Sequence, residues 1–186
     1  LPTPMLQRDL QHALHTRSLA LIDRVAALAR PLDPERLVRR PPNGGWSVGH
    51  VLEHLCVTSE LYEPPIRTLL RSARPDAAAP LRPWKPTLVG RLTVHMFERP
   101  MRMRAPKRMV PAASPRGGVV EAFLAHLRTL DQLLDESSGF DWRRLRMSSP
   151  VVSLPIRFNL GDVYSILVVH AERHARQMER VAAAAN

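Results

Sequence analysis

Residues 159–184 read NLGDVYSILVVHAERHARQMERVAAA, and they give the clearest indication of the fold. No proline interrupts it, although a proline inside a helix costs about 3 kcal/mol and would break the pattern. Its apolar residues recur at helical spacing, at Val163, Ile166, Leu167, Met178 and Val181. The pattern predicts a long amphipathic helix with one face in a protein core.

Three further stretches without proline show the same periodicity, at 5–30, 43–63 and 116–149. Ser47 is a suitable N-cap for the second predicted helix. Pro64 and Pro65 either end that helix or leave a kink after which it restarts. Together with the stretch at 159–184, the spacing of prolines predicts four helices.

The connection between the second and third predicted helices is long and rich in proline, with ten prolines between residues 64 and 115. Residues 151–154 could add a short extended segment before the last helix. We therefore expect an all-α fold, a single four-helix bundle with a long crossover at 64–118 between helices 2 and 3. The length of 186 residues fits one domain over 1–186.

The composition excludes several classes of protein. Apolar residues make up 45% and charged residues 24% of the chain, which is unlike a disordered protein. Cys56 is the only cysteine, so histidine or carboxylate must bind any metal. No run approaches about 18 uncharged apolar residues and no secretory signal is visible, so we expect a cytoplasmic protein without a membrane segment.

The net charge of +10 is concentrated in the predicted crossover. Residues 64–118 contain twelve Lys or Arg against Asp76 and Glu98, whereas the remainder of the chain is balanced. Such a segment is either an electropositive surface for an acidic ligand or nucleic acid, or a solvated arginine-rich loop. Single-stranded nucleic acid also requires aromatic stacking, and only Trp84 and Phe97 are available there.

The histidines carry the chemistry. His170 and His174 are four residues apart, which places two imidazoles on one helix face where they can share a metal ion. The same face carries Ile166 and Met178, so the pair is expected to point into the core. Glu172 lies on nearly the opposite side, which excludes the His-Glu-x-x-His metalloprotease motif and indicates a surface salt bridge.

A second histidine pair, His50 and His54, falls in the second predicted helix. His54 lies three residues after Val51 and four before Thr58, which again directs it toward the interior. A third imidazole from a facing helix would complete a three-histidine site with an open position for water or substrate.

Several of these residues together resemble a known family, the DinB-like superfamily of metal-dependent enzymes. The resemblance covers essentially the whole chain. Its motifs are Gly45-Trp46-Ser47-Val48, His54-Leu55, Asn159-Leu160-Gly161-Asp162 and His170-x-x-Arg173-His174-x-x-Gln177.

The resemblance implies that His54, His170 and His174 bind a divalent metal, nickel or zinc. It also implies activities such as thiol transfer with cofactors of the bacillithiol or mycothiol type, or isomerisation. The chain departs from the family at His50, where relatives often carry an acidic or amide residue, and this departure bears on the capping box that Ser47 would form.

Other side chains are weaker candidates for a role in this site. His50 is a candidate ligand or general base, with helix capping as the alternative. Gln177 could donate a hydrogen bond to the ligands or to a substrate, and Thr58 could reach the open side. In the basic crossover, Arg99, Arg102 and Arg104 are candidates for binding an anionic thiol cofactor.

The sequence thus leaves three classes of function open. The first is a metal-dependent thiol S-transferase or hydrolase acting on a small molecule, in which three neutral imidazoles leave the metal's charge free to activate thiol or water. The second is a non-catalytic metal-binding bundle, with a homodimer as the assembly. The third is a nucleic-acid-associated protein that uses the basic crossover, which we consider the least favoured.

Overall fold

The chain is mostly helical in a computed structural model, which describes residues 5–42, 44–99, 104–151 and 156–184. These ranges contain six α-helices: α1 (Gln7–Ala29), α2 (Pro34–Val38), α3 (Val48–Ser72), α4 (Leu88–Glu98), α5 (Val119–Glu136) and α6 (Leu160–Ala184). Two strands, β1 (Arg146–Ser148) and β2 (Arg157–Asn159), pair antiparallel. None of the helices in the described ranges combines the length and apolar character that crossing a bilayer requires.

Four long helices enclose the core. Helix α1 packs against α5 and α6, and α3 packs against the same two helices. Each contributes an apolar stripe, and the side chains they bury most completely include Leu14, Leu52, Phe123, Leu124, Leu134, Tyr164 and Met178. Burying one such side chain contributes about 1.5–3 kcal/mol, which explains why the periodicity of the sequence determines these helices. The predicted salt bridge of Glu172 is present, with Arg17 of α1 at 2.6 Å.

Of the two alternatives for the second predicted helix, an end at Pro64 and Pro65 is wrong, because α3 continues beyond them. It continues through Pro64 and Pro65 to Ser72, so the connection begins at residue 73 rather than at 64. The prolines cannot donate backbone hydrogen bonds, but Ile66 beyond them is fully buried in the core. Burial of this apolar side chain offsets the lost hydrogen bonds. The connection is also not merely a loop, because it contains α4, which packs along α6.

The start of α6 is fixed by two neighbouring features. Asn159 and Asp162 cap it reciprocally, since the Asp162 amide donates to Asn159 Oδ1 at 2.8 Å and the Asn159 amide donates to Asp162 Oδ2 at 3.2 Å. Directly before it, β2 pairs with β1 and buries Phe158 opposite Met147. The extended segment expected at 151–154 lies, apart from residue 151, outside the described residues.

Candidate metal centre

Three histidines meet where α3 crosses α6. His54 lies on α3, and His170 and His174 lie one turn apart on α6. One ring nitrogen of each lies within 4.8 Å of the others, and His54 Nε2 is 3.2 Å from His170 Nε2. Their exposed fractions are only 2%, 7% and 9%. The donor set fits a divalent ion, because imidazole nitrogen is a preferred ligand of both zinc and nickel.

Two acceptors orient the rings. His54 Nδ1 donates to the Met109 carbonyl at 2.6 Å, and His174 Nδ1 lies 2.8 Å from Gln177 Oε1. A ring that donates from Nδ1 keeps its lone pair on Nε2, and this is the nitrogen that remains for the centre of the cluster. Hydrogen bonds of this kind fix both the tautomer and the direction of metal-binding imidazoles.

Burial keeps the three rings neutral. It lowers the pKa of His54, and for His170 the lowering by burial is reinforced by the positive charge that His174 and His54 would carry. The pKa of His174 falls to about 3, again through burial first and the charge of His54 second. Because only neutral imidazole binds a metal, the cluster is ready to bind one at neutral pH without first losing protons.

Aromatic side chains and the end of α4 cover the cluster. The Trp46 ring lies 5.0 Å from that of His54, and the Phe97 ring lies 5.2 Å from that of His170. Arg173 Nη1 donates to the carbonyls of Phe97 at 3.3 Å and of Arg99 at 2.6 Å, which holds the C-terminal end of α4 on α6. These contacts shield the cluster from bulk water on two sides.

A narrow crevice between α3, α5 and α6 reaches His170. Apolar side chains form most of its walls, among them Leu55, Ile66, Phe123, Leu127, Leu130 and Leu167. Thr58 also lines it, but its hydroxyl donates to the His54 carbonyl at 2.8 Å. The crevice is therefore apolar, and its volume of about 30 Å³ has room only for a group of roughly the size of a water molecule.

The other sequence candidates lie in different surroundings. His50 is one turn before His54 but outside the cluster, since its Nδ1 lies 2.6 Å from the Ser47 hydroxyl and its Nε2 lies 3.0 Å from the Ala113 carbonyl. Arg99 and Arg104 are exposed, and Arg102 lies outside the described residues. Cys56 is buried, and burial raises the pKa of its thiol to about 12, as expected for an inert core residue.

Sequence reasoning missed two contributors to the cluster. The Met109 carbonyl leaves no signature in a sequence, because every residue carries a carbonyl and only the fold decides which one is near His54. The sequence indicates only that Phe97 is an aromatic residue in a basic segment. The amphipathic pattern between Pro86 and Pro100 is the sequence feature that indicates α4, and its apolar face is the feature that indicates packing against another helix.

The comparisons with known proteins agree with this arrangement. A family model described as the DinB superfamily matches residues 19–178, which include all three histidines. No curated protein and no solved structure matches the chain. Because the family match covers most of its length, the chain belongs to the DinB superfamily.

Proposed function

We propose that this member of the DinB superfamily is a metal-dependent enzyme of the thiol S-transferase type, with hydrolysis as the alternative reaction, and that its metal is nickel or zinc. The observation that carries the proposal is the cluster of His54, His170 and His174, whose ring nitrogens converge within 4.8 Å in a buried setting. Superfamily membership supports the same assignment.

The donor set favours catalysis over a structural metal. Three neutral ligands leave the positive charge of the ion uncompensated, so a bound metal would act as a Lewis acid toward a thiol or a water. Structural zinc sites are usually closed by four protein ligands, and the cluster in the described residues contains three. Met109 and Gln177 hold the rings in place, while Trp46 and Phe97 exclude water.

In this proposal the chain forms a single domain over 1–186. Helices α1, α3, α5 and α6 are the four-helix bundle, as their mutual packing supports, and the connection carrying α4 covers the metal end. The substrate is a small molecule that approaches the cluster along the apolar crevice beside His170. Thr58 lines that crevice and Gln177 is a positioning residue for His174. His50 supports the start of α3, where Ser47 is the cap and accepts from the His50 amide at 3.3 Å.

Metal content tests the site directly. We expect His170→Ala and His174→Ala each to lose most of the bound nickel or zinc while remaining helical, because two imidazoles bind a divalent ion far more weakly than three. Elemental analysis of protein purified without added metal, with circular dichroism for folding, measures both quantities. His12→Ala, which removes an exposed histidine of α1, is the matched control. Stoichiometric metal in a double His170→Ala/His174→Ala variant would contradict the assignment.

Kinetics test the class of reaction. We expect metal-loaded protein to accelerate transfer of a low-molecular-weight thiol to an electrophile, and chelation to abolish the reaction. If Arg99, Arg102 and Arg104 attract an anionic thiol, replacing all three with Gln raises KM with little change in kcat, and added salt reduces the difference. Full metal content without turnover of thiol or ester substrates would instead identify a non-catalytic metal-binding protein.

A further inference from the structure

A second concave site lies far from the histidines, where α6 begins. It is a groove of about 520 Å³. Its walls come from the segment before α4, from the segment that runs from α5 into β1, and from Asn159, where β2 meets α6. Asn159 at its edge precedes His170 by eleven residues, which is about 16 Å along a helix at 1.5 Å per residue. The groove is therefore separate from the candidate metal centre.

The walls of this groove are strongly basic. Among the described residues that line it are five cations, Arg82, Lys85, Arg143, Arg144 and Arg146, against the single carboxylate of Asp141. Asp141 lies 3.5 Å from Arg144 Nε and 3.9 Å from Arg82 Nε, and Asp76 outside the groove pairs with Arg82 Nη2 at 2.8 Å. Within the described ranges neither Lys85 nor Arg146 takes part in an ion pair, and the buried carboxylate of Asp162 attracts the Arg146 charge only at longer range. The positive charge of the groove is thus only partly compensated.

The cations are carried on backbone that other contacts hold in place. Asn159 Nδ2 donates to the Lys85 carbonyl at 3.0 Å, and Arg143 Nη1 donates to the Pro83 carbonyl at 3.2 Å. The Arg82 carbonyl accepts from the amide of Gln7, the first residue of α1, at 2.9 Å. Arg146 is fixed by the pairing of β1 with β2. The backbone positions are therefore fixed, and binding of a ligand would order only the exposed side chains themselves.

One donor in the groove lacks an acceptor. Arg82 Nε is buried and, within the described part of the chain, forms no hydrogen bond. The Asp141 carboxylate is 3.9 Å away, which is too far for one. A buried donor without a partner costs about 1–3 kcal/mol. An oxyanion in the groove would accept from the exposed guanidinium nitrogens of the wall, and it would relieve the mutual repulsion of the surrounding cations.

We propose that this groove binds a small phosphate-bearing anion, such as an organic phosphate or pyrophosphate. Guanidinium groups match the geometry of phosphate oxygens through paired hydrogen bonds, and four of the five cations are arginines. The volume lies within the range of small-molecule sites, roughly 300–1,000 Å³. The described residues of the groove walls include no aromatic ring for base stacking, because Trp84 lies against Gly161 instead. This favours a small anion over single-stranded nucleic acid.

Titration with inorganic pyrophosphate at constant ionic strength tests this proposal. We expect saturable binding by calorimetry and a loss of affinity of about tenfold or more in Lys85→Ala/Arg146→Ala, because each removed cation ends a charge-assisted hydrogen bond. The matched control is Arg128→Ala/Arg180→Ala, which removes the same charge from α5 and α6, away from the groove. Repeating both titrations in His170→Ala excludes coordination of pyrophosphate at the histidine cluster.

Three outcomes would overturn the proposal. The first is the absence of saturable binding to the unmodified chain. The second is an equal loss of affinity in the control pair, which would identify a diffuse electrostatic effect. The third is displacement of pyrophosphate by an oligonucleotide, when the groove variant and the control variant bind that oligonucleotide equally weakly. If Lys85→Ala/Arg146→Ala fails to fold, Arg146→Lys and Arg146→Gln take its place, and we expect the lysine variant to retain the greater affinity.

Discussion

At the scale of single residues, the direction of each imidazole matters as much as its presence. His54 and His174 have their Nδ1 atoms committed to Met109 and Gln177, which leaves Nε2 for the centre of the cluster. A histidine without such a partner would sample both tautomers and several ring orientations. The strength of metal binding should therefore depend on Gln177, although it does not itself lie in the cluster.

Replacing Gln177 tests this dependence. We expect Gln177→Leu to weaken metal affinity about 10–100-fold, the usual effect of losing the partner of a metal-binding histidine. Gln177→Glu should retain or strengthen binding, because a carboxylate also accepts from Nδ1 and raises the basicity of the ring. Competition with a chromophoric chelator measures the affinity of each variant. Equal weakening by Leu and Glu would show that Gln177 acts only through packing.

At the scale of elements, α4 is positioned on α6 through Asp162. Its carboxylate accepts from the Thr87 hydroxyl at 2.7 Å and from the Thr87 amide, directly at the start of α4. Gly90 in the first turn lets the helix approach, since an added Cβ would overlap the Asp162 carboxylate. Burial raises the pKa of Asp162, and these donors oppose the increase. The opposite end of α4 places Phe97 over His170.

Gly90→Ala is therefore expected to disturb both the fold and the cluster. Overpacking of this kind costs about 1–3 kcal/mol, and displacement of α4 would also move Phe97 and reduce metal affinity. The matched control is Gly117→Ala, where an added Cβ meets no atom within 4 Å. Urea unfolding and metal titration measure the two effects. Unchanged stability in Gly90→Ala would show that α4 is not held on α6 by this contact.

The elements also show how far the sequence predicts this structure. The long helices follow from proline spacing and apolar periodicity, because both depend on neighbours within a few residues. The meeting of His54 with His170, 116 positions away, follows instead from the family motifs. The continuation of α3 past Pro64 depends on burial of Ile66 by other helices, which local propensity does not contain. The same limit applies to the contact of α4 with α6, which brings together residues more than seventy positions apart.

At the scale of the whole molecule, buried neutral histidines couple the stability of the fold to pH. Each of the three clustered imidazoles has a lowered pKa in the fold, whereas in the unfolded chain the value is about 6.5. Below pH 6.5 the unfolded chain thus binds more protons than the folded one, and acid favours unfolding. His15 differs: burial acts to lower its pKa, but Asp135 and Asp131 raise it overall, so its contribution is complete below pH 6.5 and is lost at higher pH.

The metal-free protein should therefore lose stability steadily as the pH falls from about 6.5 to 5, above the range where most carboxylates titrate. Each buried histidine contributes up to about 1.4 kcal/mol per pH unit to this slope, and His15 contributes nothing within the window. Urea unfolding at a series of pH values measures the slope, and His170→Leu/His174→Leu should flatten it. A bound metal should raise the stability across the window without steepening the slope, because it binds the folded state and the folded cluster carries few protons to displace. A metal-free protein whose stability is constant over this window would show that the cluster is already protonated or exposed in the folded state.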